Sequence, residues 1–63
     1  MNIGENIKNL RRARGLTQEE IAERIGVSRP FIAQVERGTK VPTLAVGALL
    51  ATVLECDLND FIK

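Results

Sequence analysis

The side chains that most often carry catalysis or hold metal ions are scarce in this sequence. It has no histidine, and Cys56 is its single cysteine, which excludes an intrachain disulfide and a cysteine-cluster zinc site. The neighbouring carboxylates of Glu19 and Glu20 fall within a helix-capping sequence, and nothing pairs a nucleophile with a base. We therefore expect no enzymatic activity, no metal, no cofactor and no small-molecule ligand.

The length and composition restrict the remaining classes. A chain of 63 residues predicts one domain over residues 1–63, and the domain looks whole because Lys63 follows a complete predicted helix. Apolar residues make up 44% of the chain, enough for a globular core, yet no apolar run approaches the roughly 20 residues that span a bilayer. Small domains without disulfides are typical of the cell interior. We expect a cytoplasmic protein that does not bind a membrane.

The charges are unevenly distributed along the chain. Residues 1–40 hold eight Lys or Arg against five Asp or Glu, whereas residues 41–63 hold one against three. The net charge of +1 conceals this difference. A basic first part and an acidic last part suit a protein that faces a polyanion on one side only.

Apolar spacing and capping residues predict five short helices and no strand. Thr17 and Glu20 form a capping box at the start of the second helix, and Gly26 can adopt the left-handed conformation that ends it. Ser28 and Thr43 are the predicted N-caps of the third and fourth helices. The predicted helices cover about 3–14, 18–25, 29–37, 44–55 and 58–62.

The second and third helices form a helix-turn-helix unit, because only a tight turn separates them. The unit needs a small residue where its helices approach each other, supplied by Ala22, and a turn residue that tolerates positive φ, supplied by Gly26. Five further positions must be apolar to pack against the first helix, and these are Ile21, Ile25, Val27, Ile32 and Val35.

The segment from Gly15 to Gly38 resembles the Cro/CI-type (XRE) family of DNA-binding domains, and the similarity extends from about Ile3 to Ile62. The resemblance implies an all-α, five-helix, lambda-repressor-like fold that binds operator DNA, usually as a dimer. The third helix, about Arg29 to Arg37, would then enter the major groove. The implied partners are double-stranded DNA and a second copy of the chain, with the protein associated with the nucleoid when bound.

The resemblance also assigns individual residues. The implied base-reading residues on the third helix are Arg29, Pro30, Ala33 and Gln34. Arginine suits guanine, glutamine suits adenine and alanine suits the thymine methyl group, whereas proline cannot donate a hydrogen bond and departs from the polar residue usual in the family. The implied phosphate-binding residues are Thr17, Gln18, Arg37, Thr39, Lys40 and Thr43.

The other polar and aromatic residues are expected to be structural or to face solvent. The family's internal ion pair maps onto Arg11 and Glu36, which we interpret as structural. Three other basic residues of the first helix region are expected to face solvent rather than DNA, and these are Lys8, Arg12 and Arg14. Phe31 could stack on bases, but its spacing with neighbouring apolar residues favours the core. Cys56 is expected to be a buried, unreactive thiol.

The fourth helix is apolar on almost every side, where family members usually carry polar residues. Because a helix that is apolar all round is normally covered on more than one side, this pattern predicts a homodimer built on the fourth and fifth helices. The residues expected near the seam are Val46, Leu49, Leu50, Val53, Phe61 and Ile62. The alternative is a scatter of small exposed apolar side chains, which is common in monomers.

These observations favour a sequence-specific double-stranded DNA-binding protein, acting as a small transcriptional repressor that binds a palindromic operator as a dimer. The alternative belongs to another class: a protein-interaction module, such as an antitoxin or an antagonist of a related regulator. The apolar fourth helix and the small net charge are compatible with that alternative as well.

Overall fold

The computed structural model describes residues 2–63, so Met1 of the predicted 1–63 domain lies outside the described residues. Four α-helices follow one another along the chain, namely α1 (Ile3–Ala13), α2 (Gln18–Ile25), α3 (Arg29–Arg37) and α4 (Leu44–Leu54). A 3₁₀ helix, Leu58–Phe61, completes the fold. Residues 2–63 contain no strand, which confirms the all-α prediction.

The helix ends follow the predicted capping residues. Thr17 Oγ1 accepts a hydrogen bond from the Glu20 amide at 3.1 Å, while Glu20 Oε1 accepts one from the Thr17 amide at 2.9 Å. These two bonds complete the capping box of α2, and the bond from the Thr17 amide lowers the pKa of the Glu20 carboxyl group. Gly26, with φ of 76°, ends α2 in the left-handed conformation that a short turn into α3 requires.

The predicted fifth short helix is present, and it is of the 3₁₀ type and one residue shorter than expected. The segment forms a four-residue 3₁₀ helix that ends at Phe61 rather than Ile62. Its hydrogen bonds join residues three apart, as between the Asp60 amide and the Asp57 carbonyl at 2.9 Å. So short a segment is held by packing rather than by helical propensity, since the Phe61 ring is buried in the core.

One core holds the helices together. Its buried apolar side chains come from all four α-helices and the 3₁₀ helix, and they are Ile7, Ile21, Ala22, Ile32, Val35, Leu50, Ala51, Leu54 and Phe61. The N-terminal end of α1 lies directly on the backbone of α3. A Cβ atom at Gly4 would meet the Val35 carbonyl oxygen and would lie 2.6 Å from that of Glu36. The fold therefore fixes α3 against α1 as well as against α2.

The C-terminal end of α4 is capped by the side chain of Arg14, which directly follows α1. Arg14 donates from Nε to the Leu54 carbonyl at 2.8 Å and from Nη2 to the Glu55 carbonyl at 3.1 Å. Glu55 itself is the only non-glycine residue with positive φ in the described chain, at 55°. The guanidinium group thus provides hydrogen-bond donors for carbonyl groups that a helix end leaves without partners. Arg14 was expected to face solvent, but it also binds the end of α4.

The C-terminus is tied back to α1. Asn6 Nδ2 donates to the Phe61 carbonyl at 2.8 Å and to the Lys63 carbonyl at 3.2 Å.

None of the helices in residues 2–63 has both the length and the apolar character required to cross a membrane.

Candidate nucleic-acid interface

The predicted base-reading residues lie on the side of α3 that faces away from the core. Ile32, Val35 and Glu36 are buried on the inner side of the helix. On the outer side, Arg29, Pro30 and Arg37 are exposed, and Ala33 and Gln34 are half-buried. Because residues three or four apart are neighbours on a helix, Pro30, Ala33, Gln34 and Arg37 form one continuous surface, with Arg29 at its edge.

A buried ion pair holds α3 against α1. Arg11 Nε lies 2.7 Å from Glu36 Oε2, and Arg11 Nη2 lies 3.1 Å from Glu36 Oε1. The side chains are only 10% and 3% exposed. Arg11 Nη1 also donates to the Leu16 carbonyl at 2.7 Å, which connects the pair to the loop before α2. The predicted pairing of Arg11 with Glu36 is therefore present, in a two-bond geometry that fixes the orientation of both groups.

The same carboxylate positions Gln18. Its Nε2 donates to Glu36 Oε1 at 3.0 Å, so the side chain is held at the N-terminal end of α2, against the last turn of α3. Burial raises the pKa of the Glu36 carboxyl group, but the hydrogen bonds from Arg11 and Gln18 and the nearby positive charges outweigh it and leave the pKa below its usual value. Glu36 is therefore ionised at neutral pH.

A basic cleft opens where α1, α2 and α3 meet. It has a volume of about 380 Å³, and its lining residues are Lys8, Arg11, Arg12, Gln18, Arg29, Ala33, Glu36 and Arg37. Glu36 is its one acid and is already paired with Arg11. Within residues 2–63, no carboxylate lies within 4.0 Å of the other four cationic groups, those of Lys8, Arg12, Arg29 and Arg37. The cleft therefore concentrates uncompensated positive charge beside the outer face of α3.

This cleft changes the interpretation of α1. Lys8 and Arg12 were expected to face solvent only, but they line the cleft together with Gln18 and Arg37. Their spacing of four residues places both on one face of the helix, a signal that was present in the sequence. The missing information was which helix face lies beside the start of α2. Arg14, the third residue in that expectation, caps α4 and does not line the cleft.

The remaining phosphate candidates lie in the loop after α3. Thr39 donates from Oγ1 to the Gln34 carbonyl at 3.1 Å, and Thr43 Oγ1 accepts from the Val46 amide at 3.2 Å as the N-cap of α4. Lys40 is exposed, with Nζ 5.9 Å from the centre of the Phe31 ring. Arg29, Ala33 and Arg37 of α3 line the cleft together with Gln18, whereas Lys40 lies at Phe31 on the other side of the helix. The loop and the basic cleft therefore flank the outer face of α3.

The residues predicted at a dimer seam fall into different environments. Leu50 is fully buried in the chain's own core, so its assignment to the seam is wrong, and Phe61 is only 3% exposed. Both side chains fill the space between α4 and its neighbours. Leu49 and Ile62 are exposed, and Val46 and Val53 are half-buried. Because the sequence of α4 is apolar on every side, it could not predict which face of the helix packs in the core.

The most exposed large apolar residues within residues 2–63 are two that the sequence did not single out. Val41 and Leu44 are 76% and 79% exposed, and both border an apolar groove of about 370 Å³ between the start of α4 and the 3₁₀ helix. Leu58 and Ile62 form its other side, and Phe61 contributes to its lining. We call this feature the apolar groove.

Comparison with known proteins places this architecture. The helix-turn-helix family HTH_3 matches residues 7–61. An HTH-type transcriptional regulator of Sinorhizobium fredii, y4dJ, is 42% identical over 52 residues, covering 82% of this chain and 68% of its own length. The immunity repressor protein of Bacillus phage phi105 is 37% identical over 62 residues, covering 98% of this chain, which spans 43% of that repressor.

A solved structure of the P22 c2 repressor protein in complex with a synthetic operator has the same fold. The TM-score is 0.91 with 26% sequence identity, and the alignment covers 97% of this chain and 92% of that one. The lambda-repressor-like fold expected from the resemblance is therefore confirmed. The chain belongs to the XRE-type (HTH_3) helix-turn-helix family of DNA-binding transcriptional regulators.

Proposed function

We propose that this chain recognises a specific double-stranded DNA sequence through α3 and represses transcription by occluding promoter DNA. The observation that carries the proposal is the outer face of α3, which presents Gln34 beside a cleft with four unpaired cationic groups, that of Arg29 among them. The kinship with a phage immunity repressor and a repressor crystallised on an operator supports it. Such a regulator would act in the cytoplasm, on nucleoid DNA.

Two phosphate-binding regions would orient α3 in the major groove. On one side, Lys8 and Arg12 would contact the backbone together with Gln18 and the first-turn amides of α2. On the other side, the loop residues Thr39, Lys40 and Thr43 would contact the backbone across the groove. Phosphate contacts on both sides of a helix fix its register on the duplex but carry no sequence information.

The residues between these regions would read the bases. Arg29 is suited to the O6 and N7 acceptors of guanine, and Gln34 to the N7 and N6 groups of adenine. Each such pair discriminates by about 1–3 kcal/mol against the wrong base. Ala33 would contact a thymine methyl group, and Pro30 would lie against the groove without a hydrogen bond.

Paired variants separate reading from positioning. Replacing Gln34 with alanine should change the preferred sequence at one position, whereas Lys40→Ala should weaken all sites by the same factor. If both variants weakened every sequence uniformly, the assignment of Gln34 to base reading would be wrong. Arg24, exposed on α2 and absent from the cleft lining, provides a control: Arg24→Ala should leave binding unchanged.

The basic cleft has its own test in the salt dependence of binding. Each phosphate contact contributes about 0.9 to the slope of log K against log salt concentration. Lys8→Ala and Arg12→Ala should each lower the slope by about that amount without altering the preferred sequence. An unchanged slope in both variants would remove α1 from the interface.

We also propose that the functional unit is a dimer joined at the apolar groove, with a second copy as its occupant. Val41, which lines the groove, directly follows Lys40, so a second copy seated there would lie next to the loop after α3. Recognition helices so paired would meet successive major grooves about 34 Å apart and favour a palindromic operator. Burial of Val41 and Leu44 would remove the most exposed apolar side chains of the described chain from water.

Sedimentation of the protein without DNA, at tens of micromolar, tests the dimer. Leu44→Asp should convert it to a monomer, and the fold should tolerate the change because Leu44 is highly exposed. Leu49→Asp is the matched control, since Leu49 is exposed on α4 but does not line the apolar groove. A wild-type monomer would contradict a stable dimer, and dissociation by Leu49→Asp alone would move the seam to the other edge of α4.

A further inference from the structure

Phe31 is not part of the buried core, although its spacing suggested that it would be. It is half-buried and packs against the edge of the core, whereas its neighbour Ile32 is fully buried. The ring lies on the side of α3 that faces the loop, where Lys40 Nζ is 5.9 Å from the ring centre. One side of this large apolar group therefore packs on the protein while the rest remains accessible.

The ring lies beside the residues assigned to base reading. Phe31 precedes Gln34 by three residues, so the two side chains are neighbours on the helix surface, and Pro30 adjoins both. Phe31 does not line the basic cleft, in contrast to Arg29 and Ala33. It therefore occupies the edge of the reading face that lies next to the loop.

Only one chemical group on the base edges of the major groove is suited to contact an accessible phenyl ring. The ring offers no hydrogen bond to a base edge, and the one apolar group that a normal base presents there is the C5 methyl group of thymine. Lys40 over the ring is favourably placed by attraction of its ammonium group to the π face, so the ring also holds a cation next to the groove.

We propose that Phe31 is a specificity-determining residue that contacts the C5 methyl group of a thymine within one base pair of the position read by Gln34. The same ring positions Lys40 for the adjacent phosphate. This inference rests on the proposed function, since it requires α3 to lie in the major groove.

Deoxyuridine substitution tests the contact, because it removes only the methyl group. Each thymine of a selected binding site is replaced in turn, and the affinity ratio of the thymine duplex to the uracil duplex is measured. For the wild type, one position next to the Gln34 base pair should show a loss of about threefold to tenfold, as expected for one buried methyl group. For Phe31→Ala, the ratio at that position should fall to about 1.

The ratio is independent of the fraction of active protein, so partial unfolding of Phe31→Ala does not disturb it. Lys40→Ala is the control: it should weaken both duplexes equally and leave the ratio as in the wild type. A ratio of about 1 in Lys40→Ala, or a ratio in Phe31→Ala that is the same as in the wild type, would overturn the assignment.

A second measurement uses the wild-type protein alone. With a ¹³C-labelled thymine methyl group at that position, complex formation should shift the methyl proton resonance upfield through the Phe31 ring current and give an NOE to the ring protons. A specific complex without either signal would refute the contact and leave the proposed function intact. Failure to find any specific site would instead overturn both.

Discussion

Removing either member of the Arg11–Glu36 pair should be strongly destabilising, but the loss should depend on pH in only one of the two variants. In Glu36→Leu, a guanidinium group that cannot lose its proton stays behind in a site where the side chain is only 10% exposed. In Arg11→Met, the remaining carboxylate keeps its hydrogen bond from Gln18 and can also take up a proton. The two defects therefore differ in how they can be relieved.

The magnitude is large for a chain of this size. Leaving one partner of a buried ion pair uncompensated costs about 3–5 kcal/mol. Domains of this length have a free energy of unfolding of roughly 3–9 kcal/mol at 0.05–0.15 kcal/mol per residue. Each kcal/mol corresponds to about 4–8 °C in Tm. Glu36→Leu should thus lower the Tm by tens of degrees, and the double variant Arg11→Met/Glu36→Leu should be more stable than Glu36→Leu alone.

The pH dependence follows from the pKa of Glu36. In the wild type this pKa is lowered below its ordinary value of 4.5, so the pair stabilises the fold above about that pH and its contribution is lost as the pH falls through the folded pKa. In Arg11→Met, burial without the guanidinium raises the pKa, and the penalty should shrink between pH 7 and 5. In Glu36→Leu, the penalty should be independent of pH over that range.

Urea denaturation followed by circular dichroism at pH 7, 6 and 5 measures these differences. Arg24→Met provides the control, since Arg24 is exposed and forms no ion pair within the described residues, so its effect should be within about 0.5 kcal/mol at each pH. Additive losses in the double variant, or equal pH profiles for the two single variants, would refute the account of the pair as a coupled buried unit.

Two further predictions concern the backbone. Gly4→Ala should destabilise the fold by more than about 2 kcal/mol, because the new Cβ would meet the Val35 carbonyl oxygen. Alanine normally favours a helix by about 1 kcal/mol relative to glycine, so the expected effect is opposite to that of helix propensity. Thermal unfolding measures the change in stability, and a stabilised variant would contradict the close approach of α1 to α3. Glu55→Gly should stabilise the fold by about 1 kcal/mol, since the left-handed conformation at φ 55° costs roughly 1–2 kcal/mol for a residue with a Cβ. The exposed ion pair of Glu55 with Arg14, which the change removes, stabilises the fold by less than that cost. Glu55→Ala, which keeps the Cβ, should show no such gain in the same measurement.

The local signals in the sequence predicted the helices well, because caps and turns depend on neighbouring residues. The capping box of Thr17 and Glu20, the left-handed Gly26 and the start of α4 at Thr43 are all as expected. The exception is the fifth helix, where the segment after Asp57 is too short for its own hydrogen bonds to decide between helix types.

Features that depend on which faces meet were harder to predict. Because α4 is apolar on every side, its sequence does not distinguish the buried Leu50 from the exposed Leu44. Arg14 and Arg12 have the same charge and are two residues apart, yet one caps α4 and the other lines the basic cleft. Their roles follow from the orientation of α1 relative to the other helices, which no local pattern specifies.

Selection of binding sites from a random duplex pool with the purified protein tests whether α3 recognises specific DNA. The salt concentration should be about 150 mM, so that nonspecific phosphate binding is suppressed. Recognition by a dimer should enrich a palindrome with half-sites one helical turn apart, and a single enriched half-site would retain the recognition but remove the dimer. No enrichment by protein shown to be folded would contradict recognition of specific DNA by α3 and favour a protein partner for this domain.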